Sequence, residues 1–226
     1  MTIRILRFLP VIAAFGACLP ATAGAQATSP PTGGSPALAP SSFALSGGGQ
    51  VLLGRAVRFR GTLDRGDAGR AVTIERFDPL SSAWVPEAAT TVASDGSFVA
   101  SWRPRHSGRH QTRAVLARDS AAGAATASPE LPLTVYRRAL ATWYGPGLFG
   151  RRTACGTRLS RGLLGVAHRR LPCGTSVALH YRGRTLVVPV VDRGPFTPGA
   201  EWDLTAAAAR ALGFAESGRL GAVALR

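Results

Sequence analysis

Lysine is absent from the 226 residues: the 27 basic side chains are all arginine, set against only 12 acids, for a formal net charge of +15. A GC-rich coding bias enriches Arg, Ala, Gly and Pro together, and the chain is rich in all four, so the charge is not by itself a sign of function. A basic surface still attracts polyanions. Cysteine is scarce, at three residues, and Cys18 lies in an apolar leader. The two that remain exclude a disulfide-dense scaffold and a four-thiolate metal site. Beyond the leader no apolar run reaches the roughly 18 residues of a membrane span, which excludes an integral span. With 46% hydrophobic and 17% charged residues, the chain has the apolar mass for one large or two small folded domains, which excludes wholesale disorder.

The first residues read as a signal peptide over 1–27. Arg4 and Arg7 form a positive start, Phe8 to Leu19 an apolar stretch, and Ala23-Gly24-Ala25 or Ala25-Gln26-Ala27 a small-residue cleavage site, with cleavage expected after Ala27. Phe15-Gly16-Ala17-Cys18 loosely resembles a lipidation signal, but Phe stands where Leu is usual, so lipid anchoring through Cys18 is the less favoured reading. Either route places the mature protein outside the cytoplasm, secreted or at the cell wall or periplasm, and removes nucleic acid as the expected partner. Residues 28–42, rich in Pro, Ser, Gly and Ala, read as a flexible linker.

From 43 to 136 the pattern has period two. Val57, Phe59 and Leu63 alternate with Arg58 and Arg60; Val72 and Ile74 with Thr73 and Glu75; Phe98, Ala100 and Trp102 with Ser97 and Ser101. Asp95-Gly96 and Ser107-Gly108 punctuate these runs and predict hairpins. Six to eight short strands suggest an immunoglobulin-like β-sandwich, serving as a spacer or wall-binding platform. His106 and His110 lack acidic neighbours in sequence and read as solvated turn residues.

The last segment, 141–226, has the size of a small barrel. Val177, Leu179 and Tyr181 alternate, Arg182-Gly183 turns, and Leu186, Val188 and Val190 return. Thr205 caps the one convincing helix, which has four alanines and stops at Gly213. Five strings follow in order: Thr142-Trp143-Tyr144-Gly145; Arg152-Thr153-Ala154; Ala167-His168-Arg169-Arg170-Leu171-Pro172 with Gly174-Thr175; Asp192-Arg193-Gly194-Pro195-Phe196; and Asp203-Leu204-Thr205. Together they resemble the rare lipoprotein A family. The resemblance implies a six-stranded double-psi β-barrel with one short helix, hence an all-β chain, related to expansins and membrane-bound lytic transglycosylases and acting on peptidoglycan.

It also implies a functional pair, His168 and Asp192, and places Asp203 where the related membrane-bound enzymes carry their acid. Some positions depart from the family: Val191 replaces a frequent Asn, Glu201-Trp202 two small aliphatics, and Cys155 and Cys173 stand where Asn or Ser and Phe are common. No glycan-binding repeat follows the barrel, which puts septal recruitment in doubt.

The chemistry so implied is a lytic transglycosylase reaction, in which one carboxyl protonates the leaving oxygen of a MurNAc-GlcNAc bond and then takes the proton of the muramyl 6-hydroxyl. Asp192, after Val190 and Val191, is expected to be that acid through partial burial, with His168 orienting it or sharing its proton. The blander readings are a turn residue for Asp192, a structural histidine for His168 and a helix cap for Asp203. Trp143 and Tyr144 are expected to stack on sugar faces, Tyr144 as the groove residue. Arg193 and Thr153 complete the expected substrate contacts, Arg193 holding wall carboxylates or phosphates. Cys155 and Cys173, 18 apart, are expected to form a disulfide worth about 3 kcal/mol. A metal site using both with His168 lacks paired-ligand spacing and a clear fourth ligand, so neither metal nor cofactor is expected. The partner is peptidoglycan glycan and the protein a monomer. The rival function is an expansin-like module that binds wall glycan without cutting it.

Overall fold

The computed structural model describes residues 43–117 and 126–225. The expected signal peptide, linker and Cys18 lie outside them. The described residues hold two large apolar cores, a smaller cluster of Tyr136, Ala178 and Val223, and one strand that contributes to all three.

The N-terminal half is built from β1 (Ala44–Ser46), β2 (Gly49–Leu52), β3 (Val57–Thr62), β4 (Ala71–Asp78), β5 (Ala83–Thr91), β6 (Ser97–Trp102), β7 (Gly108–Leu116) and β8 (Thr126–Ala127). One sheet has the order β1-β3-β6; the other runs β5-β4-β7 onto β9 (Leu131–Tyr144), with β2 on β9 and β8 on β7. The period-two runs do what they predict: Val57, Phe59, Val72, Ile74, Phe98, Ala100 and Trp102 all turn inward into one core. Burying each such large side chain stabilises the fold by about 1.5–3 kcal/mol.

The two expected hairpins are corrected. Asp95-Gly96 does make a tight turn, with the Gly96 amide on the Ala93 carbonyl at 3.0 Å, but β5 pairs β4 whereas β6 pairs β3. The turn carries the chain from one sheet to the other. Likewise β7, after Ser107-Gly108, pairs β4 and β9 rather than β6. Alternation fixes which side of a strand is buried and leaves the partner strand open.

Strand β9 is 14 residues long and unbroken. Its Leu131–Val135 portion pairs β7, and Arg137–Tyr144 enters the barrel. The remaining strands are β10 (Val166–Ala167), β11 (Ser176–Tyr181), β12 (Arg184–Asp192), β13 (Trp202–Thr205) and β14 (Gly218–Ala224). Hydrogen bonding runs β9-β14-β11-β12-β10-β13 and returns to β9, so six strands close with no free edge. The β11–β12 hairpin forms as predicted, Tyr181 opposite Arg184 across Arg182-Gly183. The barrel interior holds Val166, Val177, Leu179, Val188, Leu204 and Phe214, each under 2% exposed.

The helix α1 (Ala206–Leu212) begins where expected: Thr205 Oγ1 accepts the Ala208 amide at 3.3 Å, and Gly213 ends it at φ 71°. Thr205 also accepts the Gly165 amide at 3.2 Å and donates to the Leu163 carbonyl at 2.6 Å. One side chain therefore anchors the helix start to the loop entering β10. At Gly165 a Cβ would meet Val191 Cγ2 at 2.4 Å, so only glycine lets this loop lie against β12.

Candidate active site

Three strand ends place two carboxylates in one row. Ala167 of β10 is the register partner of Asp192 on one side and of Asp203 on the other, and Asp203 in turn faces Thr142 on β9. Partners in register point to the same side of a sheet, so Asp192, Asp203 and Thr142 share a face. Two strand spacings separate the carboxylate-bearing backbones, roughly 9–10 Å. Tyr144, two residues beyond Thr142, falls on that face by the same alternation.

The two carboxylates sit in different surroundings. Asp203 Oδ1 accepts the Thr142 hydroxyl at 2.7 Å. Burial pushes the Asp203 carboxyl above its ordinary value, the Thr142 bond pulls it back, and the nearby Asp192 charge adds to the rise. Asp192 Oδ1 instead accepts two amides, from Ala154 at 2.7 Å and from Arg193 at 2.8 Å. The Tyr144 hydroxyl is buried and within range of both carboxylates without closing a hydrogen bond of ordinary geometry. Burial first, then the Asp192 and Asp203 charges, push that phenol far up, so it remains a protonated donor.

His168 is elsewhere. Its amide donates to the Asp192 carbonyl at 3.2 Å, but its ring belongs to the opposite face. Nδ1 accepts the Arg170 and Leu171 amides at 3.1 and 2.9 Å, and the ring packs on Trp202 with centroids 4.6 Å apart. An Nδ1 that accepts puts the proton on Nε2 in the neutral ring. Burial lowers the His168 pKa, Arg193, Arg169 and Arg137 lower it further, and Glu201 opposes them. Arg193 bears on both groups, its amide on the Asp192 carboxylate and its charge on the imidazole, whereas the direct ring contacts of His168 fall on Arg170, Leu171 and Trp202.

The helix-cap reading of Asp203 is corrected, since Asp203 lies inside β13 and Thr205 caps α1. Trp143 and Tyr144 part company as neighbours on a strand must. Trp143 is 39% exposed, donates to the Ala215 carbonyl at 3.0 Å and lines an apolar groove of about 770 Å³ with Phe149, Arg161 and Arg210. The Arg193 guanidinium is engaged by the Leu171 and His168 carbonyls at 3.0 and 3.4 Å, so the structure uses it as an internal brace. Thr153 is buried, in the turn that brings Ala154 to Asp192. Cys155 and Cys173 form the expected disulfide, Cα atoms 5.7 Å apart, and the bond consumes both thiols of the metal alternative. Two participants escaped sequence reasoning: Thr142, legible from its period-two spacing to Tyr144, and the Ala154 amide, for which the sequence holds no signal.

Residues 137–223 match the lytic transglycolase family, a double-psi barrel. The same segment is similar to proteins named RlpA. The chain is 52% identical over 88 residues to the probable endolytic peptidoglycan transglycosylase RlpA of Synechocystis, covering 38% of this chain and 27% of that protein. It is 44% identical over 85 residues to the Aquifex aeolicus protein of the same name, 37% of this chain and 38% of that one. The Rickettsia bellii endolytic peptidoglycan transglycosylase RlpA is 35% identical over 98 residues, 41% of this chain and 43% of its own. The similarity thus spans less than half of each of these relatives, and of this chain it covers the barrel. Among the described residues no helix is long and apolar enough to cross a membrane.

The unpaired Tyr144 hydroxyl separates stability from activity. Tyr144→Phe is expected to leave the melting temperature equal or higher, because it deletes a buried polar atom that makes no full hydrogen bond. On the transglycosylase reading proposed below, fragment release from purified walls is expected to fall about tenfold, the worth of one donor bond to a charged group that closes only with substrate in place. Thermal melts beside a wall digest check both halves.

Proposed function

We infer that the protein is an exported lytic transglycosylase that cuts the MurNAc-GlcNAc bond of peptidoglycan and leaves 1,6-anhydro-muramyl ends. The observation carrying this reading is the row Asp192, Asp203 and Thr142 with Tyr144, in which one carboxyl is pushed up beside the charge of the other. The relatives' names supply the substrate, and a wall substrate fits the expected signal peptide over 1–27. Residues 43–136 act as spacer or wall-binding platform and 141–226 carry the chemistry.

The sequence expectation puts the proton on Asp192; the surroundings favour Asp203. A raised pKa suits a proton donor, and burial raises that of Asp203. In the proposed reaction Asp203 protonates the glycosidic oxygen, the C1–O bond breaks, and the GlcNAc side leaves as an alcohol. Positive charge develops at muramyl C1, where the Asp192 charge stabilises it. The muramyl 6-hydroxyl closes on C1 and returns its proton to Asp203, so no water is consumed. Tyr144, locked as a donor, holds Asp192 or a sugar oxygen beside it. His168, just after β10, and Trp202 of β13 pack together away from the carboxylate row.

Mass spectrometry of a wall digest tests the reaction class. Fragments ending in 1,6-anhydro-muramic acid are expected. Products one water heavier would make the enzyme a hydrolase, and wall binding with no released fragment would make it an expansin-like module.

A further inference from the structure

Both amide donors on Asp192 lead back to the Cys155–Cys173 bridge. Ala154, whose amide sits 2.7 Å from Asp192 Oδ1, is the residue before Cys155. Arg193 gives the second amide at 2.8 Å, and its guanidinium contacts Cys173 Sγ at 3.3 Å and the Leu171 carbonyl at 3.0 Å. The other hydrogen bonds of the turn carrying Ala154 stay within the turn. Thr153 donates to the Thr157 carbonyl, Gly156 to that of Thr153, and the Arg152 side chain to that of Gly156. Among the described residues, the hydrogen bonds of 152–157 that leave the loop reduce to the one on Asp192. The bridge is therefore what pins this loop to the barrel segment following His168.

We propose that the Cys155–Cys173 bridge, with the Arg193 guanidinium, is a positioning device that holds the Ala154 and Arg193 amides on Asp192 and so fixes the carboxylate toward substrate. The inference rests on the transglycosylase reading for its kinetic consequence and on geometry alone for its structural one. Two amides converging on Oδ1 lock the carboxylate rotation. Without the cross-link the loop loses its covalent tie to the barrel, and the Ala154 donor shifts with it. A displacement of about 1 Å at a catalytic group costs up to roughly 100-fold in rate.

The test uses the full-length protein with and without dithiothreitol. Its thiolate attacks one bridge sulfur, the S–S bond breaks, and the second thiol of the reagent resolves the mixed disulfide. Two electrons pass from the dithiol to the bridge, which gains two protons, and the reagent is released as a cyclic disulfide. On reduction the Ala154 amide proton resonance is expected to move upfield as its carboxylate bond is lost. Fragment release at saturating wall is expected to fall about 10- to 100-fold, with the half-saturating wall concentration unchanged within about twofold. Arg193→Gln, which leaves the bridge intact, is expected to lower the saturating rate in the same way. It keeps the idea testable if the reduced barrel melts. An Ala154 resonance that stays put in folded, reduced protein overturns the proposal, as does an Arg193→Gln variant with the full saturating rate. If the oxidised protein releases no fragments at all, the transglycosylase reading fails instead, and the amide resonance still decides the positioning.

Discussion

Asp203→Asn is expected to abolish release of anhydro-muramyl fragments while leaving binding to insoluble walls intact. The amide preserves shape and can still accept from Thr142, but it cannot pass a proton. Loss of an essential acid/base costs at least about 100-fold, or roughly 2.7 kcal/mol of barrier. The stability change has the opposite sign. A carboxyl whose folded pKa is raised makes the fold less stable as pH climbs from its unfolded value through the folded one. Asn removes that loss, so the variant is expected to melt at or above the wild type at neutral pH, the gap closing in acid. Activity carried by a protonated Asp203 falls as pH rises through its raised pKa. Asp192→Asn, by deleting the neighbouring charge, is expected to lower that pKa, which carboxyl carbon NMR reads directly. A fully active Asp203→Asn beside a dead Asp192→Asn returns the proton to Asp192.

Trp202→Ala is expected to destabilise the barrel by about 3–5 kcal/mol, enough to unfold a marginal domain. Trp202 is 3% exposed, packs in the barrel core, and carries the His168 ring on its face. It also stands next to Asp203, so the variant is expected to lose activity through the fold. Trp202→Phe separates the causes. The indole N–H has no hydrogen-bond partner among the described residues, so Phe deletes an unsatisfied donor and keeps most of the apolar area. Its melting temperature is expected to stay within a few degrees of wild type with fragment release retained. Chemical denaturation of the two variants side by side measures the difference.

Local chemistry was legible in the residues themselves. Alternation at Phe59, Ile74, Phe98 and Val188 is a property of a few consecutive residues, and so it told which side chains would be buried before any partner was known. Thr205 as helix cap, Gly213 as stop and Arg182-Gly183 as turn are likewise decided within four residues. The ordered strings from Thr142 to Thr205 were enough to indicate the barrel and to bring Asp192, Asp203 and His168 forward together. Pairing was not legible, because a strand's pattern does not name its neighbour: hence the Asp95-Gly96 turn that crosses between sheets, and the single strand β9 that runs through both cores. The division of labour between the carboxylates was also hidden. It depends on Thr142 reaching Asp203 from another strand, on the Ala154 amide arriving at Asp192 from 38 residues away, and on the burial that barrel closure imposes. His168 illustrates the limit most directly. Its place beside Asp192 in the motif was readable, but only the register that seats Ala167 between the two aspartates turned the imidazole to the opposite face, onto Trp202.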